Sequence, residues 1–425
     1  MRHILLAALA LVSVHALAQQ PSDDRVLFTG HHGTILSTGL EDPRYLLSFP
    51  ATQRLVLRTA RERQVAAVEA ERALQGLPFR LEHLEAAGIL KRDGENYRIA
   101  YMVLSADDER AMYEVSRTYG RSLADAFIAA AERYQQVFSR YPTAELRSDL
   151  AFVTVAGYTL NWDGLRIGTE LGMRAQPISK RNGDRYLLYS KEIGRKADVT
   201  GFYWGSHSSN PLGNIRLTTF GDSPSQPRIG GLPDIYFGAS DGTAAFKNRP
   251  GLVAASTTQI EAAVDDILRL DGAIMLALRD SPKTALELQQ LTGGSEMQVS
   301  QAIDVLVASS YLRKRENPQR YSAAVLVLTE ADRSMLDEGR KLGREILTQW
   351  LTTNYPKIER DLAGLDVSKA GVDFTQTFSE VWHYVFGSAT KELAERKFYT
   401  DPRAPDRAHV GFVPVVFKAD LASMP

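Results

Sequence analysis

The sequence contains no cysteine, which removes a group of structural and catalytic chemistries. Disulfide bonds, thiolate metal sites and cysteine nucleophiles are all excluded. A chain of 425 residues is long enough for two or three domains and can bury an adequate hydrophobic core without cross-links. A protein of this size can therefore fold without disulfides.

The sequence also lacks an excess of charge of either sign and lacks long apolar runs. Its formal net charge is -1, so the whole chain carries no positive field that would hold nucleic acid. After the N-terminus no stretch reaches the roughly 18 uninterrupted apolar residues that a membrane-spanning helix needs. We therefore expect a soluble globular protein with no membrane span in its mature form.

Residues 1–18 have the three-part layout of a secretory signal peptide. Arg2 and His3 give a basic start, Ile4 to Val14 form a mostly apolar core, and Ala16-Leu17-Ala18 is a small-x-small cleavage site. We expect cleavage before Gln19 and a periplasmic or secreted location in a bacterium. A segment that is cleaved off takes no part in the mature fold.

The most organised stretch runs from Thr284 to Thr329 and predicts helix, turn, helix and a two-stranded hairpin. A variant of the same order occurs from Pro78 to Ser105, where Asp93-Gly94 marks the tight turn of the hairpin. These segments resemble the winged helix of bacterial one-component regulators of the MarR and ArsR kind. The resemblance implies that the helix before the wing would enter the DNA major groove. It also implies that the long helix after each wing would dimerise, here as a pseudo-dimer within one chain.

The helix from Glu296 to Ala308 argues against DNA binding because it contains no Lys or Arg. Neutralisation of phosphate dominates the affinity of proteins for DNA, and this helix offers none. Basic residues gather at the two wings: Lys91, Arg92, Arg313, Lys314, Arg315 and Arg320. We interpret them as solvated hairpin edges that oppose aggregation. A DNA-binding regulator is the alternative if the N-terminus is not a signal peptide.

The two winged-helix segments belong to longer matching stretches, with Phe152, Val155 and Tyr158 repeated as Phe378, Val381 and Tyr384. The order of elements repeats as well, which indicates an internal duplication. The predicted fold is α-rich α+β, with long helices and a central strand-and-loop segment. The predicted organisation is signal peptide 1–18, N-terminal arm 19–50, first repeat 51–227, linker 228–256 and second repeat 257–425.

Four local expectations can be tested directly. The arm contains at most a short strand, and one helix covers Thr52 to Gln75. One long helix starts after Ser105, capped with Asp108, and ends at Tyr141-Pro142. Val410 to Phe417 is a strand that Pro414 places at a sheet edge.

The most ligand-like stretch runs from Phe202 to Asn210. It combines aromatic rings with hydroxyls, an imidazole and an amide, a set that suits a sugar or a peptidoglycan fragment. The candidate binding residues are Tyr203, Trp204, Ser206, His207 and Asn210. The alternative is a core strand followed by a serine-rich turn, which the sequence favours over a site.

Signals for catalysis and for metal binding are weaker. Gly238-Ala239-Ser240-Asp241-Gly242 matches a nucleophile elbow, but the required strand-turn-helix context is missing, so a glycine-rich loop is favoured. No HExxH pattern or paired-histidine helix spacing occurs. We therefore interpret the adjacent histidines His31 and His32 as fortuitous neighbours. We interpret His83 as a surface residue of a helix and His383 as a core residue. We predict no metal site and no cofactor.

The sequence thus favours an exported, non-enzymatic binding or protein-interaction scaffold. Its partner would be an unknown protein or a cell-envelope ligand, and nucleic acid is not expected. A DNA-binding regulator is the first alternative. A hydrolase with a site near Ser240 or His207 is the second.

Overall fold

The computed structural model describes residues 26–193, 206–208, 214–221, 257–316, 318–419 and 421. The protein belongs to the α-rich α+β class, as predicted, with several small sheets among many helices. The chain forms two compact units. Unit 1 comprises Met1–Arg121, Leu165–Thr200 and Gln349–Ser388, and unit 2 comprises Ser122–Gly164, Gly201–Thr348 and Ala389–Pro425.

The described α-helices, in chain order, are α1 Pro43–Leu46, α2 Pro50–Glu62, α3 Ala67–Ala73, α4 Leu81–Ala86, α5 Ala106–Ile128, α6 Ala131–Phe138, α7 Arg147–Phe152, α8 Gly164–Glu170, α9 Thr257–Ala277, α10 Ala285–Thr292, α11 Glu296–Ala308, α12 Arg333–Asp361, α13 Asp366–Lys369 and α14 Phe374–Glu395. A π-helix, Val153–Asp163, joins α7 to α8. Short 3-10 turns cover Gly39–Glu41, Ala144–Leu146 and Glu330–Asp332. Of the helices in these described ranges, none combines the length and apolar character that crossing a bilayer requires.

The described strands are β1 Leu27–Thr34, β2 Val65–Ala66, β3 Leu90–Asp93, β4 Asn96–Ile99, β5 Met102–Leu104, β6 Ile178–Ser179, β7 Arg185–Glu192, β8 Ser206–Ser208, β9 Ile215–Gly221, β10 Leu312–Arg315, β11 Arg320–Ala323, β12 Leu326–Leu328 and β13 Phe412–Lys418. The strands from β1 to β7 lie in unit 1, and those from β8 to β13 lie in unit 2.

The main sheet of unit 1 has the order β1-β7-β5, with β6 also paired to β7. β1 runs antiparallel to β7 over its full length, whereas β5 runs parallel to β7. A separate small sheet contains the β3–β4 hairpin, with β2 on the other side of β4. The N-terminal end of β1 is held by the buried side chain of Gln53 in α2. Its Oε1 accepts hydrogen bonds from the backbone N–H groups of Val26 and Leu27.

The main sheet of unit 2 has the order β12-β13-β9-β8. β12 runs parallel to β13, and β9 runs antiparallel to β13, so three strands here have the same relative directions as β5, β7 and β1. The β10–β11 hairpin follows α10 and α11. Both helices begin with capping boxes, at Thr284 and Ser295, which explains why their starts are readable from sequence.

Several local predictions are confirmed. α4 and the β3–β4 hairpin lie between Pro78 and Ser105, where the sequence predicts a helix followed by a hairpin. The cap before α5 is present, since the backbone N–H of Asp108 donates to Ser105 Oγ and the Asp108 carboxylate accepts from the backbone N–H of Ser105. The cap also receives the backbone N–H groups of Asp366 and Val367, which join α13 to the start of α5 within unit 1.

Two helix predictions are wrong. The segment predicted as one helix over Thr52 to Gln75 contains α2, β2 and α3. α2 ends because Arg63 adopts a left-handed conformation with φ 70°, a position that glycine usually takes and that the sequence therefore does not signal. The long helix expected to reach Tyr141 is interrupted between α5 and α6, where Ala130 leaves helical geometry.

Two strand predictions are also wrong. The arm contains an eight-residue strand, β1, paired along its whole length, and it is not mostly irregular. β13 is an inner strand and not an edge, since β12 and β9 pair with its two sides. Pro414 is tolerated because β12 pairs only from Val415 onward, so no N–H is required from position 414 on that side.

Candidate functional site

The candidate site lies on one face of the main sheet of unit 1. Side chains alternate between the faces of a strand, so Phe28, Gly30 and His32 of β1 share a face. Their partners in register on β7 are Lys191, Tyr189 and Leu187, which share the same face. The opposite face carries a hydroxyl chain in which Ser190 Oγ lies 2.9 Å from Thr29 Oγ1 and 2.8 Å from Tyr101 OH.

Helix α14 brings the other functional groups to this face. Glu380, His383 and Tyr384 lie at spacings of three and four residues, which places them on one side of a helix. The start of the helix is fixed by Asp373, whose carboxylate accepts the backbone N–H of Thr375 at 2.8 Å. Phe378 and Trp382 of the same helix are buried and anchor it in unit 1.

Glu380 is the centre of the cluster. His32 Nε2 donates to Glu380 Oε1 at 2.9 Å, and Lys191 Nζ lies 3.0 Å from Glu380 Oε2. Lys191 Nζ is also 3.3 Å from Glu109 Oε1, and the Tyr384 hydroxyl donates to that same carboxylate. The ring nitrogens of His32 and His383 and a carboxylate oxygen of Glu380 lie within 4.8 Å of one another. Two histidines and one carboxylate thus converge on a small volume.

The cluster is buried enough for its charges to interact strongly. The side chain of Glu380 is 5% exposed, whereas those of His32 and Lys191 are 19% and 20% exposed. Burial by itself raises the pKa of Glu380, but the Lys191 ammonium and the hydrogen bond from His32 lower this pKa more, so Glu380 stays ionised. Burial lowers the pKa of Lys191, and the nearby Glu380, Tyr384 and Glu109 raise it more, so Lys191 stays an ammonium.

His383 is held as a neutral imidazole with a defined tautomer. Burial lowers its pKa to about 4, against the opposing effect of Glu380. Its Nδ1 is bonded to the backbone carbonyl of Ser379, and a carbonyl only accepts, so Nδ1 carries the proton. Nε2 of a neutral imidazole with this tautomer carries the lone pair that a metal ion uses.

The aromatic rings of the site pack against one another, and this packing requires a glycine at position 30. His32 and His383 are nearly parallel, 5.2 Å apart with an interplanar angle of 14°. Tyr189 also packs against His32, with ring centroids 5.1 Å apart and an interplanar angle of 33°. Tyr189 also lies across Gly30, where a Cβ would enter the phenol ring. Glycine at position 30 therefore lets Tyr189 reach His32.

The structure places the residues predicted from sequence in very different positions. Tyr203, Trp204, Asn210 and Ser240 lie outside the described residues. Ser206 and His207 lie in β8, where His207 pairs with Thr219 of β9 through the backbone. His83 lies on α4 and lines a surface concavity with Lys180, Arg181 and Asn182. None of the described residues that the sequence predicts as ligand or nucleic-acid contacts lies in the cluster around Glu380, whereas His32 and His383, which were not predicted as ligands, lie in it.

The wing bases of unit 2 are engaged by carboxylates. Lys314 Nζ is 3.1 Å from Glu316, Arg315 is 3.8 Å from Glu145, and Arg320 is 3.7 Å from Glu287. In unit 1 the Arg92 side chain donates to the carbonyl of Gly94 in its own turn. Lys91 and Arg313 lie on β3 and β10, the first strands of the two hairpins. Three of the four basic side chains of the unit 2 hairpin thus lie within 4 Å of a carboxylate, which lowers the positive charge that this wing could offer to phosphate.

Sequence reasoning missed the cluster although one signal for it was present. Glu380-Val381-Trp382-His383 is a Glu-x-x-His pattern, which puts a carboxylate and an imidazole on one face of a helix. This pattern contains only one histidine, so it does not match the paired-histidine spacing of common metal motifs. His32 has no local signal, because its partner lies 348 residues away along the chain.

Comparison of the chain with protein-family models, with curated proteins and with solved structures gives no match. The function must therefore be argued from the site itself. Two imidazoles and a carboxylate suit divalent transition metals such as zinc, cobalt, nickel or iron(II).

Proposed function

We propose that the protein is an exported, non-enzymatic binding protein, and that its unit 1 binds a divalent transition-metal ion through His32, Glu380 and His383. The observation that carries the proposal is the convergence of their three ligand atoms within 4.8 Å. Ligand atoms around a tetrahedral zinc ion lie roughly 3.3 Å apart, given bond lengths of about 2.0–2.2 Å. The distance of 2.9 Å between His32 Nε2 and Glu380 Oε1 is already close to this value. Two ligand atoms as far apart as 4.8 Å would have to approach each other by roughly 1.5 Å.

The charge of the cluster favours a cation. Glu380 and Glu109 contribute two negative charges at neutral pH and Lys191 contributes one positive charge, which leaves one negative charge in a largely buried place. A divalent ion would convert this to one positive charge. The ion would also replace the proton that His32 now shares with Glu380, since a ligating imidazole must be deprotonated at the bonding nitrogen.

The surrounding groups supply the outer contacts that metal ligands usually have. The Nδ1–H of His383 is bonded to Ser379, which fixes the ring and its tautomer. Lys191 binds Glu380 through Oε2, so Oε1 is the oxygen directed at His32. Glu380 would accordingly bind through one oxygen while the other stays paired with Lys191.

Titration calorimetry of the chelator-treated full chain with Zn²⁺, and the visible spectrum with Co²⁺, would test this proposal. We expect one ion per chain with a micromolar or tighter dissociation constant. His32→Ala, His383→Ala and Glu380→Gln should each weaken binding by at least roughly tenfold, because loss of even an outer contact costs about that much. His31→Ala is the matched control, because alternation along β1 directs His31 to the other face.

An unaltered affinity in the three ligand variants would overturn the metal proposal, as would the absence of binding at 100-fold excess zinc over protein. Circular dichroism melts of each variant separate loss of the site from loss of the fold. If the variants have lower melting temperatures but the same metal affinity as the unaltered chain, the cluster is an ion-pair network that joins β1, β7, α5 and α14.

A second role, as a protein-interaction scaffold, is supported by the winged-helix segments. α10, α11 and the β10–β11 hairpin follow the order predicted for a winged helix, and α4 with the β3–β4 hairpin follows a shorter version. The matching directions of β5, β7, β1 and of β12, β13, β9 support an internal duplication. A pseudo-dimer of the two repeats within one chain is part of this proposal.

The exposed surface of the helical pair favours protein over DNA as its partner. Leu286 and Leu291 on α10 are each 62% exposed and Met297 on α11 is 68% exposed, whereas α11 carries no basic residue.

The proposed export of the protein rests on the Arg2–Ala18 pattern. The intact mass of the native protein would show a chain beginning at Gln19 if the export proposal holds.

A further inference from the structure

Five aromatic rings follow one another across the candidate site. Phe28, Tyr189, His32, His383 and Phe386 form consecutive pairs with centroid distances of 6.3, 5.1, 5.2 and 5.3 Å. All five lie in unit 1, and the row runs from an exposed end to a buried end. Phe28 is 55% exposed, whereas Phe386 is 2% exposed. We call these five rings the aromatic row.

The exposed end of the aromatic row leads directly to the candidate ligands. Tyr189 is only partly buried and bridges Phe28 to His32, whose side chain is 19% exposed. A single exposed phenylalanine on a protein surface is ordinary. Here the exposed ring continues a row whose next members are a tyrosine and two metal-ligand candidates, so its position relates it to the site.

Three protein ligands leave a position open on a tetrahedral ion. Zinc sites with two histidines and a glutamate keep this position for water or an external donor. With the ion in place the cluster would carry one positive charge, because Glu109 and Glu380 are balanced by Lys191 and by the ion. An anionic donor with a single charge would neutralise it.

We propose that the open position takes an anionic oxygen donor of a small external ligand whose aromatic ring packs on Tyr189 and Phe28. This inference rests on the proposed metal function. It adds the chemical class of the ligand, an aromatic acid or a related oxygen chelator. Stacking of a planar ring on an aromatic side chain provides affinity without demanding one particular ring.

The test compares two probes with the same metal-binding head, benzohydroxamate and acetohydroxamate, on the full chain loaded with Co²⁺. Binding is followed by the visible spectrum, and ultrafiltration checks that the ion stays on the protein. We expect benzohydroxamate to bind roughly tenfold more tightly, because its ring can stack on an aromatic side chain and the methyl group of acetohydroxamate cannot. In Phe28→Ala the metal affinity should stay within about twofold, and the preference for the aromatic probe should shrink toward unity.

Tyr45→Ala provides the matched control, because Tyr45 is a 38% exposed aromatic residue of unit 1 that pairs with Phe49 outside the row. It should leave the preference unchanged. Failure of the unaltered chain to bind metal removes the proposed function itself. Metal binding with equal affinity for the two probes, with no affinity for either, or with a preference that survives Phe28→Ala overturns the aromatic-ligand inference alone.

Discussion

The phenol ring of Tyr189 occupies the space that a side chain at position 30 would fill. Gly30 and Tyr189 are directly opposed in register on β1 and β7, and the missing Cβ of Gly30 leaves room for the ring beside His32. The orientation of His32, a candidate metal ligand, thus depends on the absence of a side chain at Gly30.

Gly30→Ala should displace Tyr189 and disturb His32. We expect the free energy of unfolding to fall by about 1–3 kcal/mol, the usual cost of forcing extra atoms into a packed place. The affinity for Zn²⁺ should fall at least roughly tenfold, as for the loss of an outer contact. Urea unfolding and calorimetry measure the two effects. Gly364→Ala, where a Cβ meets open space, should change neither. Unchanged metal affinity in Gly30→Ala would show that Tyr189 does not position His32.

A second prediction concerns Asp184, which is 1% exposed and holds the chain after β1. Its Oδ1 accepts the backbone N–H groups of Leu36 and Ser37 at 2.7 and 3.0 Å, and its Oδ2 accepts the Ser37 hydroxyl. Burial raises the pKa of Asp184, but these hydrogen bonds lower it more, to about 2 from an ordinary 3.8.

A carboxyl whose pKa is lower in the folded state stabilises the fold above its unfolded pKa and loses that effect as pH falls. The contribution of Asp184 should therefore be complete above about pH 4 and disappear as pH falls through about 2. Asp184→Asn should cost about 1–3 kcal/mol of unfolding free energy at pH 6. The gap between the variant and the unaltered chain should narrow toward pH 3. Asp93→Asn, in a half-exposed pair with Arg98, serves as the control and should have little effect at either pH.

A third prediction concerns Asp163 in unit 2, which is 1% exposed and pairs with Arg340 at 3.0 Å and Arg344 at 3.2 Å. Asp163→Ala would leave two guanidinium groups around an uncompensated position. We expect a loss of about 3–5 kcal/mol in unfolding free energy, as for a broken buried ion pair. Glu114→Ala, which removes an exposed pair with Arg117, should cost no more than about 1 kcal/mol. Equal effects of the two substitutions in denaturant melts would refute this account of Asp163.

A fourth prediction concerns DNA. With α11 free of basic residues and the bases Lys314, Arg315 and Arg320 close to carboxylates, a fluorescent 30-base-pair duplex should bind no better than non-specifically. That corresponds to a dissociation constant weaker than about 1 μM at physiological salt. Fluorescence anisotropy at low and high salt provides the measurement. Tight, salt-sensitive binding that Arg315→Ala weakens would favour the regulator alternative.

The elements that sequence predicted best are those with local signals. Thr284 and Ser295 start helices through contacts within three residues, and Asp93-Gly94 closes a hairpin through its own backbone preference. β1 was missed because its pairing partner β7 lies about 160 residues away and because Gly30 and Gly33 weaken the strand pattern. The same distance effect hid the site, since nothing near His32 in sequence indicates Glu380.

Unit 1 is built from three separate segments of the chain, so its parts are synthesised at different times. The strand that carries His32 is made long before the helix that carries Glu380 and His383, because Glu380 lies 348 residues after His32. Chains usually fold domain by domain from the N-terminus as they emerge. A nascent chain that has not reached residue 374 holds Lys191 with Glu109 but without Glu380, the second carboxylate partner of Lys191. The cluster can therefore close only after α14 has been made, and its assembly would report that synthesis has passed this helix.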